Sequence, residues 1–104
     1  MKVHGLDKLD AFCLKHPPAR SWIRTWLADA RNAQWTCPQD IKFRYARASF
    51  LGSNRVIFDV KGNDFRMVND IAYKVGVIVV TWIGTHDAYD KLDWEVKQNE
   101  ANGR

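Results

Sequence analysis

In the first third of the chain, apolar residues recur at intervals of three and four. Leu6, Leu9, Phe12 and Cys13 fall on one side of residues 6–15, with Lys8 and Lys15 on another, and this predicts a helix closed by His16, Pro17 and Pro18. Trp22, Ile23, Trp26, Leu27 and Ala30 repeat the pattern, predicting a second helix from Pro18 to Ala33 with Pro18 in its first turn. Two tryptophans one turn apart on a broad apolar face are first of all core residues. Residues 33–54 have no such period. Apart from a short helical turn around 39–45, after Pro38, they are expected to form the longest loop.

From Arg55 the period becomes two. RVIFDV (55–60), FRMVNDIAY (65–73) and VIVVTWIG (77–84) read as strands joined by KGND and by residues 74–76, connections short enough to permit only antiparallel return. In the middle strand Phe65, Met67, Asn69, Ile71 and Tyr73 share one face, and Arg66, Val68, Asp70 and Ala72 the other. The last strand is apolar on both faces, which predicts an interior position. Thr85 is placed to cap a short helix running through Ala88, Tyr89 and Leu92, and QNEANGR reads as a frayed ending. The expected fold is α+β, one domain over 1–104, with two leading helices on a small antiparallel meander and a short terminal helix.

With 104 residues, 46% of them apolar and 27% charged, the chain can bury one core and is too hydrophobic to be disordered. No apolar run approaches the roughly 18 residues that cross a bilayer, and the start is too polar for a secretory signal, so a cytoplasmic protein without a membrane partner is expected. Cys13 and Cys37 are expected as free thiols. The charge is lopsided. Between Lys15 and Arg66 ten basic residues face four aspartates, whereas from Thr85 onward five acids face three bases. Such a basic segment suits a polyanion. Arg20, Arg24 and Arg31 fall within about 40° of one another on a helical wheel and form a stripe. With Lys42 and Arg55 they are the candidate RNA- or ribosome-binding residues.

Several chemistries are excluded by motif. His4, His16 and His86 are widely separated and there is no CxxC pair, so no metal-ligand spacing is present and no cofactor is expected. Ser21, Ser49 and Ser53 lie in no GxSxG elbow, and no P-loop occurs. What remains is a polar set at strand ends. In a meander the first turn and the segment after the third strand lie at the same end of the sheet, so Lys61, Arg66 and His86 are expected to converge, with Tyr89 and Asp90 following. Cleaving RNA without metal needs a base for the 2′-hydroxyl, an acid for the departing 5′-oxygen and cations for the phosphorane. Histidine, tyrosine, lysine and arginine supply these. A structural reading of His86 as a helix cap stays open, as does that of Tyr89 and Asp90 as anchors of the terminal helix.

NRVIFDVKGNDFRMV (54–68), the tyrosine-ended strand at Tyr73 and WIGTHDAYDKLD (82–93) resemble the HigB-type toxins of bacterial toxin–antitoxin modules, members of the RelE-like superfamily. The resemblance covers the second half in detail, and the two leading helices agree with the family in order and approximate length. It implies a compact RelE-like fold, ribosome-dependent endoribonuclease action on messenger RNA, and neutralisation by a HigA-type helix-turn-helix antitoxin, through which alone operator DNA would be met. Related toxins use basic residues on the sheet with an aromatic or histidine near the C-terminal segment, and the matching positions are Lys61, Arg66, His86 and Tyr89. Alternatives from other classes are a non-catalytic RNA- or ribosome-binding module and a partner protein acting on another target, such as gyrase. For the antitoxin, the Trp-bearing helices and residues 33–54 offer apolar anchors away from the sheet end.

Overall fold

In the computed structural model, which describes residues 1–52 and 54–92, the chain runs β1 (Lys2–His4), α1 (Leu6–Lys15), a 3₁₀ turn (Pro17–Ala19), α2 (Arg20–Asn32), α3 (Pro38–Arg44), β2 (Ser49–Leu51), β3 (Arg55–Val60), β4 (Phe65–Ala72), a second 3₁₀ turn (Tyr73–Val75), β5 (Val77–Thr85) and α4 (His86–Asp90). The frayed ending expected for QNEANGR lies outside the described residues.

The expected three-strand meander is present as β3, β4 and β5, but it forms the centre of a larger sheet. Its five strands follow the order β1-β5-β4-β3-β2, with β1 parallel to β5 and the other pairs antiparallel. Two expectations are thereby corrected. Residues 33–54 are not one loop, since they contain α3 and then β2, which pairs Ser49 with Ile57 and Leu51 with Arg55. The expected order of elements, which opened on a helix, gains a strand before it, since Lys2–His4 form β1 and Val3 is buried opposite Ile78. β1 gives β5 a strand on either side, the interior position that its pattern predicted and that a bare meander would not provide. Tyr73, expected at the end of a strand, opens a 3₁₀ turn that Gly76 closes at φ 68°.

α1 buries Leu9, Phe12 and Cys13, and α2 buries Ile23, Trp26 and Ala30, on one side of the sheet. α1 starts very close to β5. A side chain at Gly5 would meet the Val80 carbonyl oxygen at 2.6 Å, and Gly5 also holds φ 90°. From β4 the core receives Phe65, Met67 and Ile71, as the strand period predicted, and Asn69 is the one buried polar side chain among the described residues. Cys13 and Cys37 are free, as expected.

The opposite face carries rows of residues across the strands: Asp59 opposite Arg66, Ile57 opposite Val68 and Val68 opposite Trp82, and Arg55 opposite Asp70. Trp82 reaches this face through a bulge. Val68 pairs with Trp82 but Asn69 pairs with Val80, so Thr81 is an extra residue whose Oγ1 donates to the Val68 carbonyl at 3.1 Å. Without that bulge, regular alternation would send Trp82 into the core beside Ile78 and Val80.

Candidate functional site

Lys61 and His86 meet as expected. The β3–β4 turn and the start of α4 face one shallow groove of about 540 Å³, walled by Pro18, Lys61, Asp64, Thr85, His86 and Asp87. Local sequence builds both sides. The turn puts Lys61 at φ 53° and Gly62 at φ 67°, a left-handed pair in which only the glycine is unstrained. On the other side Thr85 caps α4 as predicted, its Oγ1 accepting from Ala88 N–H at 3.1 Å. The two sides are joined through Asp64, whose carbonyl accepts from His86 N–H at 3.1 Å while its carboxylate pairs with Lys61 Nζ at 3.3 Å.

The His86 imidazole has Nδ1 at 3.1 Å from Asp90 Oδ2 and remains about one-third exposed at the groove. Arg66 does not line this groove. It lies on the outer face of the sheet, paired with Asp59 through Nη1 and with its guanidinium carbon 5.8 Å from the centre of the Tyr89 ring. Tyr89 also packs against Trp82, ring centres 6.1 Å apart. Burial raises the Tyr89 phenol above its usual range, with Asp90 and Asp59 adding and Arg66 opposing, so at neutral pH it is a proton donor. The four expected residues thus form two contiguous halves, Lys61 with His86 and Arg66 with Tyr89, joined by the five residues of α4.

The candidate RNA contacts separate. Arg20, Arg24 and Arg31 share a different groove of about 540 Å³, whose apolar walls include Leu6, Leu9 and Leu27. Lys42 donates to the Ala48 carbonyl at 2.6 Å, and Arg55 pairs with Asp70 at 3.0 Å on the outer face. Spacing along the chain gave no metal ligands, but folding brings donor atoms of His86, Asp87 and Asp90 within 4.8 Å of one another, an exposed set able to offer three donors to a cation. Sequence reading passed over Trp22 as a ligand-stacking residue and over Tyr45 altogether. Their rings lie 6.0 Å apart beside Arg44 and Arg47. The available signal was the tripeptide Tyr45-Ala46-Arg47 directly after a helix.

A compact α+β domain with a histidine- and lysine-bearing groove at one end of its sheet is the class of protein this geometry defines. The model of the HigB toxin family, described as the RelE-like toxic component of a toxin–antitoxin system, matches residues 19–92. The chain belongs to that family, and an antitoxin partner follows from the membership. None of the curated proteins compared with the chain matches it. No helix among the described residues is long and apolar enough to cross a membrane.

Proposed function

We propose that the chain, one toxin domain over 1–104, is an endoribonuclease that cuts translated messenger RNA on the ribosome without metal and so arrests translation in the cytoplasm. The observation that carries this reading is the groove in which Lys61 and a partly exposed His86 are held together by Asp64. His86 moves a proton to or from the reacting oxygens, since an imidazole nitrogen can both accept a proton and give one up. Lys61 neutralises charge developing on the phosphorane. The exposed Lys61–Asp64 pair is worth less than about 1 kcal/mol, so an incoming phosphate can take over the ammonium at little cost. Arg66, held by Asp59, contributes positive potential and holds Tyr89, whose protonated phenol supports proton transfer from the far side of α4.

In this reading Arg20, Arg24, Arg31, Lys42 and Arg55 supply positive charge toward ribosomal RNA. A HigA-type helix-turn-helix antitoxin neutralises the toxin and carries it to operator DNA. His86→Ala is expected to abolish growth arrest and lower cleavage of ribosome-bound message by about 10² to 10⁴-fold, with thermal midpoint and ribosome binding near parental. Mapping of RNA ends during expression reads the result. Arrest without new ends in the parent would favour a non-catalytic ribosome binder or another target such as gyrase. Parental cutting by His86→Ala would reduce His86 to a structural role.

A further inference from the structure

The groove at His86 does not end at Lys61. Pro18 and Lys61 also wall a second depression of about 440 Å³ that continues to Trp22 and Tyr45. Trp22 and Tyr45 in turn wall a third, of about 180 Å³, bounded by Arg47, Phe58 and Gly62. The three form one trough past residues 58–60, the part of β3 that β2 leaves unpaired.

The chemistry along this trough is specific. Trp22 is half-buried and stands at the junction of the second and third depressions, its ring tilted 56° to that of Tyr45. Tyr45 is fixed, since its hydroxyl donates to Asp29 at 2.6 Å and its ring stands edge-on to Phe58 and Trp35. The Arg44 guanidinium carbon lies 5.0 Å from the Tyr45 ring centre. Arg47 is exposed on the following turn and has no acidic partner among the described residues. Of the carboxylates on these walls, Asp59 is engaged by Arg66 and Asp64 by Lys61, and Asp87 stands at the His86 end. Rigid rings interleaved with cations hold single-stranded nucleic acid, because every base has a face to stack and every nucleotide a phosphate to neutralise. An aliphatic protein anchor finds less here, since Ser21, Thr25 and the cations border the rings.

We infer that Trp22, Tyr45 and Arg47 form a stacking subsite for an unpaired nucleotide of the RNA strand whose scissile phosphate lies between Lys61 and His86. The course of the strand rests on the ribonuclease reading above; binding of the nucleotide does not. The test is affinity of the full chain for a fluorescent single-stranded oligoadenylate of about eight nucleotides, in a His86→Ala background that keeps the strand intact. Trp22→Leu is expected to weaken binding about five- to one-hundred-fold, and Trp22→Phe, which keeps a stacking face, to restore most of it. Arg47→Ser should weaken binding less and lower the salt slope by about one. If Trp22→Leu does not fold, Trp22→Phe and Arg47→Ser decide. Parental affinity and slope in Arg47→Ser together with parental affinity in Trp22→Leu would overturn the proposal. So would variants that bind the oligonucleotide normally and lose the antitoxin, since the trough would then be a protein-docking surface. Failure of the ribonuclease reading has a different signature: no cutting by the parent, while Trp22→Leu still loses the oligonucleotide.

Discussion

The two grooves of about 540 Å³ differ in what surrounds their cations. Between α1 and α2, Arg20, Arg24 and Arg31 stand over leucines with Asp10 on the same walls, and none of the three makes an ion pair with a described residue. At the other groove Lys61 holds Asp64 and His86 holds Asp90. Unpaired guanidiniums offer a polyanion attraction at once, but they stay protonated at any cellular pH and move no proton. Paired groups attract less and are held in fixed relation, and one of them is an imidazole. On the proposed function, the contrast suits the first groove to binding and the second to chemistry.

The sharpest way to break that contrast is Lys61→Gly. Loss of a preorganised cation is expected to lower cleavage by about 10² to 10³-fold. The same change places glycine where a lysine now holds φ 53°, so it relieves roughly 1 kcal/mol of backbone strain and should leave the thermal midpoint equal to or above the parent's. Cleavage at the parental rate, or a midpoint several degrees lower, would show that Lys61 serves the turn and not the reaction. Gly84→Val comes next. A Cβ there meets the Trp82 ring at 2.5 Å, and Gly84 sits opposite Arg66. The indole must leave Tyr89, with an expected cost of about 1 to 3 kcal/mol in urea unfolding and a partial loss of cleavage, while binding through the α1–α2 groove is untouched. An unchanged urea midpoint would mean that the indole relocates freely.

Much of this arrangement was legible in the sequence. Thr85 as a cap, the β3–β4 hairpin and the meeting of Lys61 with His86 followed from local pattern, because a hairpin fixes which strand ends are neighbours. The bulge at Thr81 was not legible. In VIVVTWIG both faces are apolar, so a slip of one residue leaves no mark on the alternation, and Trp82 gives no sign of which face it takes. β1 and β2 were missed for a related reason. Each has three residues, too few to show a period, and each forms by pairing with a strand far from it or just after it in sequence. The division of the site into two halves was hidden as well. That Arg66 and Lys61 face different sides depends on the left-handed turn between them, which KGND permits without requiring.

A smaller effect is expected on the binding side of the comparison. Arg24 and Arg31 have no acidic partners among the described residues, so Arg24→Glu with Arg31→Glu should change stability by no more than about 0.5 kcal/mol. If both meet ribosomal RNA, ribosome affinity falls and its dependence on the logarithm of salt concentration flattens by about two, one for each phosphate no longer neutralised. An unchanged slope in a sedimentation assay would place the RNA-binding surface elsewhere and leave this groove to another partner.

The smallest effect concerns Tyr45, which joins the aromatic trough to α2 through Asp29. Burial, reinforced by the hydrogen bond to Asp29 and that residue's charge and opposed by Arg44, holds the phenol well above the usual tyrosine range. The unfolded phenol ionises near pH 10, so the stabilisation is fully present below that pH and is lost as pH rises toward the higher folded value, where the folded state retains a proton that the unfolded state has released. Tyr45→Phe removes this dependence and leaves Asp29 with Arg44 at 2.7 Å, at a cost of about 1 kcal/mol near neutrality. Urea midpoints of parent and variant should therefore differ at about pH 8 and converge toward about pH 11. Tyr73 and Tyr89 are raised in the same direction, so the variant's alkaline slope shrinks without vanishing. A difference that stays constant across that range would show that the phenol is not held protonated by the fold. Since phenylalanine keeps the ring, oligonucleotide binding should change by less than about two-fold, which separates the hydroxyl's structural task from the stacking task assigned to the ring.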